Sequence, residues 1–178
     1  MADNAKKVAI MATDYFEEPE LLSPMQALED AGIAVEVLAP HEGSIKGLKH
    51  VESGQSVAVT RTIAEADPGN YDALVLPGGV VNADKLRMDD GARAFARAML
   101  SSGKPVAAIC HAPWLLVSAG LLRDMHATSY FTLQDDIRNA GGNWSDEEVV
   151  KDGTLITSRT PNDLPAFNKA LLEALGAV

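Results

Sequence analysis

Apolar residues come in short unbroken blocks, separated by stretches where they recur every three or four positions. Val8 to Thr13 is one such block and predicts a buried strand. Leu21, Met25 and Leu28 then stand at i, i+4 and i+7, which predicts a helix ending before Gly32. Ile33 to Leu38 predicts a second strand, with Ile33, Val35 and Val37 on one side. Residues 43–60 place Gly43, Gly47 and Gly54 between short β-like pieces, the pattern of a hairpin excursion. Tyr71 to Leu76 predicts a third main strand, closed by Pro77-Gly78-Gly79. Ala92, Phe95, Ala96 and Met99 form the stripe of a helix that stops at Gly103.

The second half repeats the alternation. Pro105 to Ile109 is an apolar strand running into Cys110, and a helix is predicted from His111 to Ala119, with Gly120 as its left-handed stop. Gln134 to Ala140 reads as a short helix, and Val149-Val150 and Thr154 to Thr157 as strands around the turn Asp152-Gly153. The last helix is predicted to start at Thr160-Pro161, with Leu164, Phe167, Leu171 and Leu175 facing inward. Strands alternating with helices predict an α/β fold with a parallel sheet covered on both faces. Ligand sites in such sheets lie beyond the carboxyl ends of the strands, near a topological switch point. Three loops leave strand ends here, Asp14 to Glu17, Pro77 to Gly79 and Cys110-His111, and neighbouring strands would make them converge. No repeat or linker interrupts the chain, so residues 1–178 read as one domain, with residues 1–6 a flexible polar start.

Net charge narrows the partners. Asp and Glu outnumber Lys and Arg by 25 to 15, a formal charge of −10, and no basic run occurs. That argues against nucleic-acid backbones and anionic membranes as partners. The polar start lacks a signal-peptide core, and no segment is apolar for long enough to span a bilayer. A single cysteine excludes an internal disulfide and suits a reducing compartment, so the expected location is cytoplasmic.

That cysteine, Cys110, is followed directly by His111 at a strand-to-helix turn. A lone cysteine is often a small buried hydrophobe. On this turn, however, the free amides of the next helix lie beneath it, which predicts a lowered thiol pKa and a nucleophilic thiolate. His111 acts as base only if its ring swings back toward the sulfur. Gly78-Gly79 is either an ordinary turn or a place where backbone comes close to substrate, one glycine amide joining that of His111 in an oxyanion hole. Glu17 is predicted to begin the helix that contains Glu18 and Glu20; favourable charge at a helix start accounts for Glu18 and Glu20, whereas Glu17 stands out by its position at the end of the first loop. His41, His50 and His126 show no ligand spacing and read as surface residues, so no metal is expected.

Five segments together resemble the PfpI family of intracellular proteases and deglycases, within the class I glutamine-amidotransferase-like superfamily. They are VAIMATDYFEEPELL (8–22), DALVLPGG (72–79), KPVAAICHAP (104–113), ATSY (127–130) and SRTPNDL (158–164). The resemblance implies a flavodoxin-like three-layer sandwich with a mostly parallel central sheet and a nucleophile elbow at Cys110. It implies Cys110 as nucleophile, His111 as adjacent base, Glu17 as the buried glutamate at the sulfur, and amides of Gly79 and His111 as oxyanion donors. Gly78 and Tyr130 would line the substrate pocket. The family's third acidic residue, reaching into a neighbouring subunit's site, matches Asp84, which implies a homo-oligomer. Trp114 matches no functional position and reads as packing or pocket wall.

The implied activity is cofactor-independent, cysteine-dependent removal of methylglyoxal or glyoxal adducts as a stress-protective deglycase or glyoxalase. Its substrates would be glycated proteins, peptides or small dicarbonyls. Two alternatives use the same thiolate: a cysteine peptidase, and a redox-sensing holdase with Cys110 as its oxidisable switch.

Overall fold

The apolar blocks become strands because both faces of the sheet they form are covered. In the computed structural model, which describes residues 5–178, β1 (Lys7–Met11) leads through a two-residue strand, β2 (Phe16–Glu17), into α1 (Glu18–Asp30) and β3 (Ala34–Ala39). A hairpin of β4 (Ser44–Lys49) and β5 (Glu52–Ala58) follows, then β6 (Arg61–Thr62), β7 (Ala73–Leu76), α2 (Val80–Met88) and α3 (Asp90–Ser101). β8 (Val106–Ile109) ends at Cys110 and is followed by α4 (Pro113–Ser118), β9 (His126–Ala127), α5 (Gln134–Asn139) and β10 (Asn143–Trp144). The chain closes with β11 (Val150–Asp152), β12 (Leu155–Ser158) and α6 (Leu164–Ala174).

Seven strands form the central sheet in the order β11-β12-β8-β7-β1-β3-β6. All neighbours are parallel except β11 and β12. Side chains alternate across it as the pleat requires. Val8, Ile10, Ala73, Val75, Ala107 and Ile109 face one core with Leu21, Leu28, Phe167 and Leu171 of α1 and α6. Ala9, Met11, Leu74, Leu76, Val106 and Ala108 face the other, with Phe95 and Met99 of α3 and Leu115 and Leu116 of α4. This is the three-layer sandwich with a mostly parallel sheet. The chain leaves β1 toward β3 and returns to β7 on the opposite side, so the switch point falls at β1 and β7, with β8 next to them.

Three boundaries differ from the sequence reading. Glu17 is not the first helical residue: its backbone is extended (φ −72°, ψ 113°) and pairs with Leu48 of β4. α4 begins at Pro113 rather than His111, because Cys110 has φ 63° and cannot start a right-handed helix there. The segment after Thr160 opens as a 3₁₀ turn, Pro161–Asp163, before α6. Here Asp163 is drawn back to Arg159, whose Nε and Nη2 each donate to it at 2.9 Å. Of the predicted flexible start, residues 1–4 lie outside the described residues. Lys6 is tied down, its carbonyl accepting from Ala34 N at 3.0 Å and its Nζ donating to the carbonyl of Leu175.

Candidate active site

Cys110 sits on the end of β8 in the left-handed region, φ 63°, where a non-glycine residue costs of order 1–3 kcal/mol. Hydrogen bonds on both sides hold it. Its N–H donates to Ser158 O at 3.1 Å, and its carbonyl accepts from Tyr130 N at 2.8 Å. The SRTPNDL and ATSY segments therefore clamp the elbow from neighbouring elements. Gly78 completes the fit, since a Cβ there would lie 2.7 Å from Cys110 Cβ and 2.8 Å from Ile109 O.

The carboxyl group at the sulfur belongs to Glu20, which corrects the assignment of that contact to Glu17. Glu20 is fully buried, its Oε2 accepts from Gly78 N at 2.8 Å, and the carboxyl interacts with the Cys110 thiol. Its Oε1 is buried with no hydrogen-bond partner. The extended backbone at Glu17 turns that carboxylate toward the hairpin tip, where both of its oxygens take the amide of His50 at 3.2 Å. Nor is Glu18 merely favourable charge at a helix start. It is buried, accepts from Gln55 N at 2.6 Å and faces Lys49 Nζ at 3.5 Å, fastening the hairpin to α1.

Burial pushes the Glu20 carboxyl up to about 8, against the pull of the Gly78 amide and with a further push from the charge on Glu17. Burial also raises the thiol of Cys110, and a charged Glu20 raises it further, while the amides of Gly79 and His111 pull it down. The expected lowering by a helix start is therefore not what this fold supplies. α4 is six residues long and begins three positions beyond the cysteine. Two acids share one buried site, so their ionisations belong to the pair. A protonated Glu20 removes its own repulsion and leaves the two amides facing a thiolate.

The Gly78–Gly79 peptide is oriented by a residue that the sequence reading passed over. Asn82 is fully buried. Its Oδ1 accepts from Thr13 N at 2.7 Å, and its Nδ2 donates to Pro77 O at 3.0 Å and Gly78 O at 2.9 Å. Glu17 N donates to the same Gly78 carbonyl at 3.1 Å. In a trans peptide the carbonyl and the following N–H point in opposite directions, so holding Gly78 O outward aims Gly79 N–H at the sulfur. Gly79 itself has φ +94°, and a Cβ there would lie 2.7 Å from Glu17 N and from Tyr15 O.

His111 Nδ1 lies 3.1 Å from Cys110 Sγ, so the ring does swing back. Burial lowers its pKa, which favours neutral imidazole. Aromatic packing orients it: the ring stacks on Tyr130 (centroids 4.6 Å apart, planes at 23°) and meets the edge of Trp114 at 5.4 Å. Trp114 is held in turn by Asp136 at 3.0 Å and by Arg87 over its ring. Within one chain Asp84 does not join this group. It lies on α2 in an open groove with Arg87, Arg93, Arg97 and Ser118.

Cys110, His111, Glu17, Glu20, Gly79 and Tyr130 converge on a cleft of about 610 Å³. The β4–β5 hairpin adds Leu48, His50 and Val51 to its wall, so His50, though exposed, belongs to the site's mouth. Among the described residues no group of three His, Cys, Asp or Glu is arranged to hold a metal ion, and no helix is long and apolar enough to cross a membrane.

A family model described as DJ-1/PfpI family matches residues 6–174. The chain is 43% identical over 174 residues to protein/nucleic acid deglycase 2 of Escherichia coli (strain K12), covering 97% of this chain and 99% of that one. It is 41% identical over 171 residues to the provisionally named cysteine protease YraA of Bacillus subtilis (strain 168), covering 96% and 99%. Among solved structures it superposes with TM-score 0.92, at 39% identity, on a two-domain protein of Anabaena variabilis with DJ-1/ThiJ/PfpI-like and ferritin-like domains. That match covers 96% of this chain and 48% of the other.

Proposed function

The chain belongs to the DJ-1/PfpI family, and we propose that it is a cysteine hydrolase that removes early methylglyoxal or glyoxal adducts from proteins. A deglycase and a cysteine protease are both named among its relatives. The observation that favours the first is the buried Glu20 carboxyl against the Cys110 sulfur, its pKa raised by burial to about 8. Dicarbonyl chemistry needs a group that gives up a proton and takes one back beside the nucleophile.

The steps balance without an outside oxidant or reductant. For an aminocarbinol, R–NH–CH(OH)–CO–CH3, the thiolate attacks the carbinol carbon, the C–N bond breaks, and Glu20 gives its proton to the departing amine. The Glu20 carboxylate then takes the carbinol C–H proton and returns it to the neighbouring carbon, while the hydroxyl proton passes between the oxygens. The first carbon is thereby oxidised to a thioester and the ketone reduced to an alcohol. Water hydrolyses the thioester, lactate leaves, and the proton of the nascent acid restores Glu20. The amides of Gly79 and His111 face the oxyanion of the thioester step. Free methylglyoxal enters at the same thiohemiacetal, which makes glyoxalase activity a property of the same residues.

Peptide hydrolysis is the second reading, favoured by the 3.1 Å contact between His111 Nδ1 and the sulfur. It needs a carboxylate to hold the imidazolium, and Asp84 of a second copy is the proposed supplier in a cytoplasmic homo-oligomer. Mixing Cys110→Ala and Asp84→Asn subunits restores peptidase sites if Asp84 acts across the interface; no recovery excludes it. The test of the main reading is product identification on a methylglyoxal-modified peptide. Wild type releases lactate and unmodified peptide in equal amounts, and Cys110→Ala releases neither.

A further inference from the structure

We propose that Glu17 selects substrates by charge, favouring adducts carried on cationic peptides over those on acidic peptides, anionic thiols or nucleotides. The substrate class rests on the reading above; the charge selection rests on the cleft. The lining contains Glu17, Glu20 and two histidines, and neither lysine nor arginine. Glu20 is committed to the sulfur and to Gly78. Glu17 has only the amide of His50, shared between its two oxygens at 3.2 Å, and forms no ion pair with a cation among the described residues.

Its neighbours show the contrast. Glu18 holds Lys49 at 3.5 Å, drawing that lysine away from the cleft. Lys85 at the rim lies 5.1 Å above the face of Tyr15 rather than on a carboxylate. Three valines give the mouth an apolar stretch: Val51, Val80 and Val81 are 92%, 52% and 41% exposed. Within the lining, a ligand entering over these valines meets one ionic group not already committed, the Glu17 carboxylate with its free lone pairs. A guanidinium or ammonium gains charge-assisted hydrogen bonds there. A phosphate or carboxylate meets like charge there, with no cation in the lining itself and Lys85 held over Tyr15 at the rim. Glu17 thus acts at the entrance, as a specificity residue rather than a partner of the sulfur.

Alkylation of Cys110 tests this whether or not the protein turns over dicarbonyls. Three reagents are compared at low ionic strength: neutral iodoacetamide, anionic iodoacetate and cationic 2-bromoethylammonium, each scaled to its rate with a free thiol. The expected result is a cation-over-anion preference of about tenfold or more, shrinking as salt rises. Glu17→Gln lowers that preference severalfold, and Glu17→Asp, which keeps the charge, retains most of it. Scaled rates that are equal for the three reagents, or a preference that survives Glu17→Gln, overturn the proposal. In parallel, kcat/KM is measured on methylglyoxal-modified arginine-rich and glutamate-rich peptides. Turnover that favours the acidic peptide overturns it as well. No turnover of either peptide, with the alkylation preference intact, sinks the deglycase reading and leaves the charge selection standing.

Discussion

Glu20 rests its carboxyl against the sulfur of Cys110 while giving Oε2 to the amide of Gly78 at 2.8 Å. One residue therefore ties the nucleophile to the loop that supplies an oxyanion donor. It also makes the two acids titrate together. The rate of Cys110 alkylation by iodoacetamide is expected to rise over a wider pH range than a single ionisation allows. Glu20→Gln removes the coupled charge and narrows the profile to one step. Superimposable profiles for the two proteins would show that Glu20 does not share the sulfur's proton.

The raised pKa of Glu20 also has a stability consequence. Its value of about 8 in the folded protein exceeds the ordinary 4.5 because burial penalises the charged form. Its contribution is thus fully present below pH 4.5 and is lost as pH rises toward 8, because the unfolded chain releases the proton first. In a Cys110→Ser background, which removes the thiol, Glu20→Gln should raise Tm by an amount that grows across this window and then levels off. A difference in Tm that is independent of pH contradicts the assignment.

Gly78→Ala places a methyl against the Glu20 carboxyl, 2.7 Å from Cys110 Cβ and 2.8 Å from Ile109 O. Nothing rigid can yield there, so the elbow and the oxyanion loop must separate. The expected cost is about 1–3 kcal/mol of stability and a loss of most turnover. Thermal melts and steady-state rates measure both; a stable, active Gly78→Ala protein would contradict the packing described.

Asn82→Ala leaves the amide of Thr13 and the carbonyl of Pro77 without their partners in a buried setting. The cost should be about 2–4 kcal/mol. Because Asn82 also aims the Gly79 amide through the Gly78 carbonyl, kcat should fall more than KM rises, and the alkylation profile should shift to higher pH. A melting change alone, with both kinetic readouts intact, assigns Asn82 a structural role only.

Much of this site was legible in the chain. Alternating apolar blocks locate β1, β7 and β8, and the loops beyond their ends do meet: Tyr15, Glu17, Gly79, Cys110 and His111 line one cleft. What was hidden depends on long-range pairing and helix phase. Which of Glu17, Glu18 and Glu20 reaches the sulfur is decided by the pairing of Glu17 with Leu48, which delays α1 by one residue. A local signal for Glu20 did exist. Glu20, Leu21, Pro24 and Leu28 share the inner face of the helix, a stripe where an acid demands an explanation. The hairpin at 44–58 was expected, but its service to the cleft through His50 and Val51 was not, because nothing local says where a hairpin folds back. The helix assumed beneath the thiol was shortened by the left-handed turn at Cys110 itself.

The most direct test of the account is the yield of lactate from one methylglyoxal-modified peptide with four proteins: wild type, Cys110→Ala, Glu20→Gln and Glu17→Gln. Cys110→Ala and Glu20→Gln are expected to lower it at least about a hundredfold, the scale of a positioned acid–base group. Glu17→Gln is expected to lower it far less, in proportion to the positive charge of the peptide. Loss of turnover in Glu17→Gln with turnover preserved in Glu20→Gln would contradict the assignment of the sulfur's partner and the mechanism built on it.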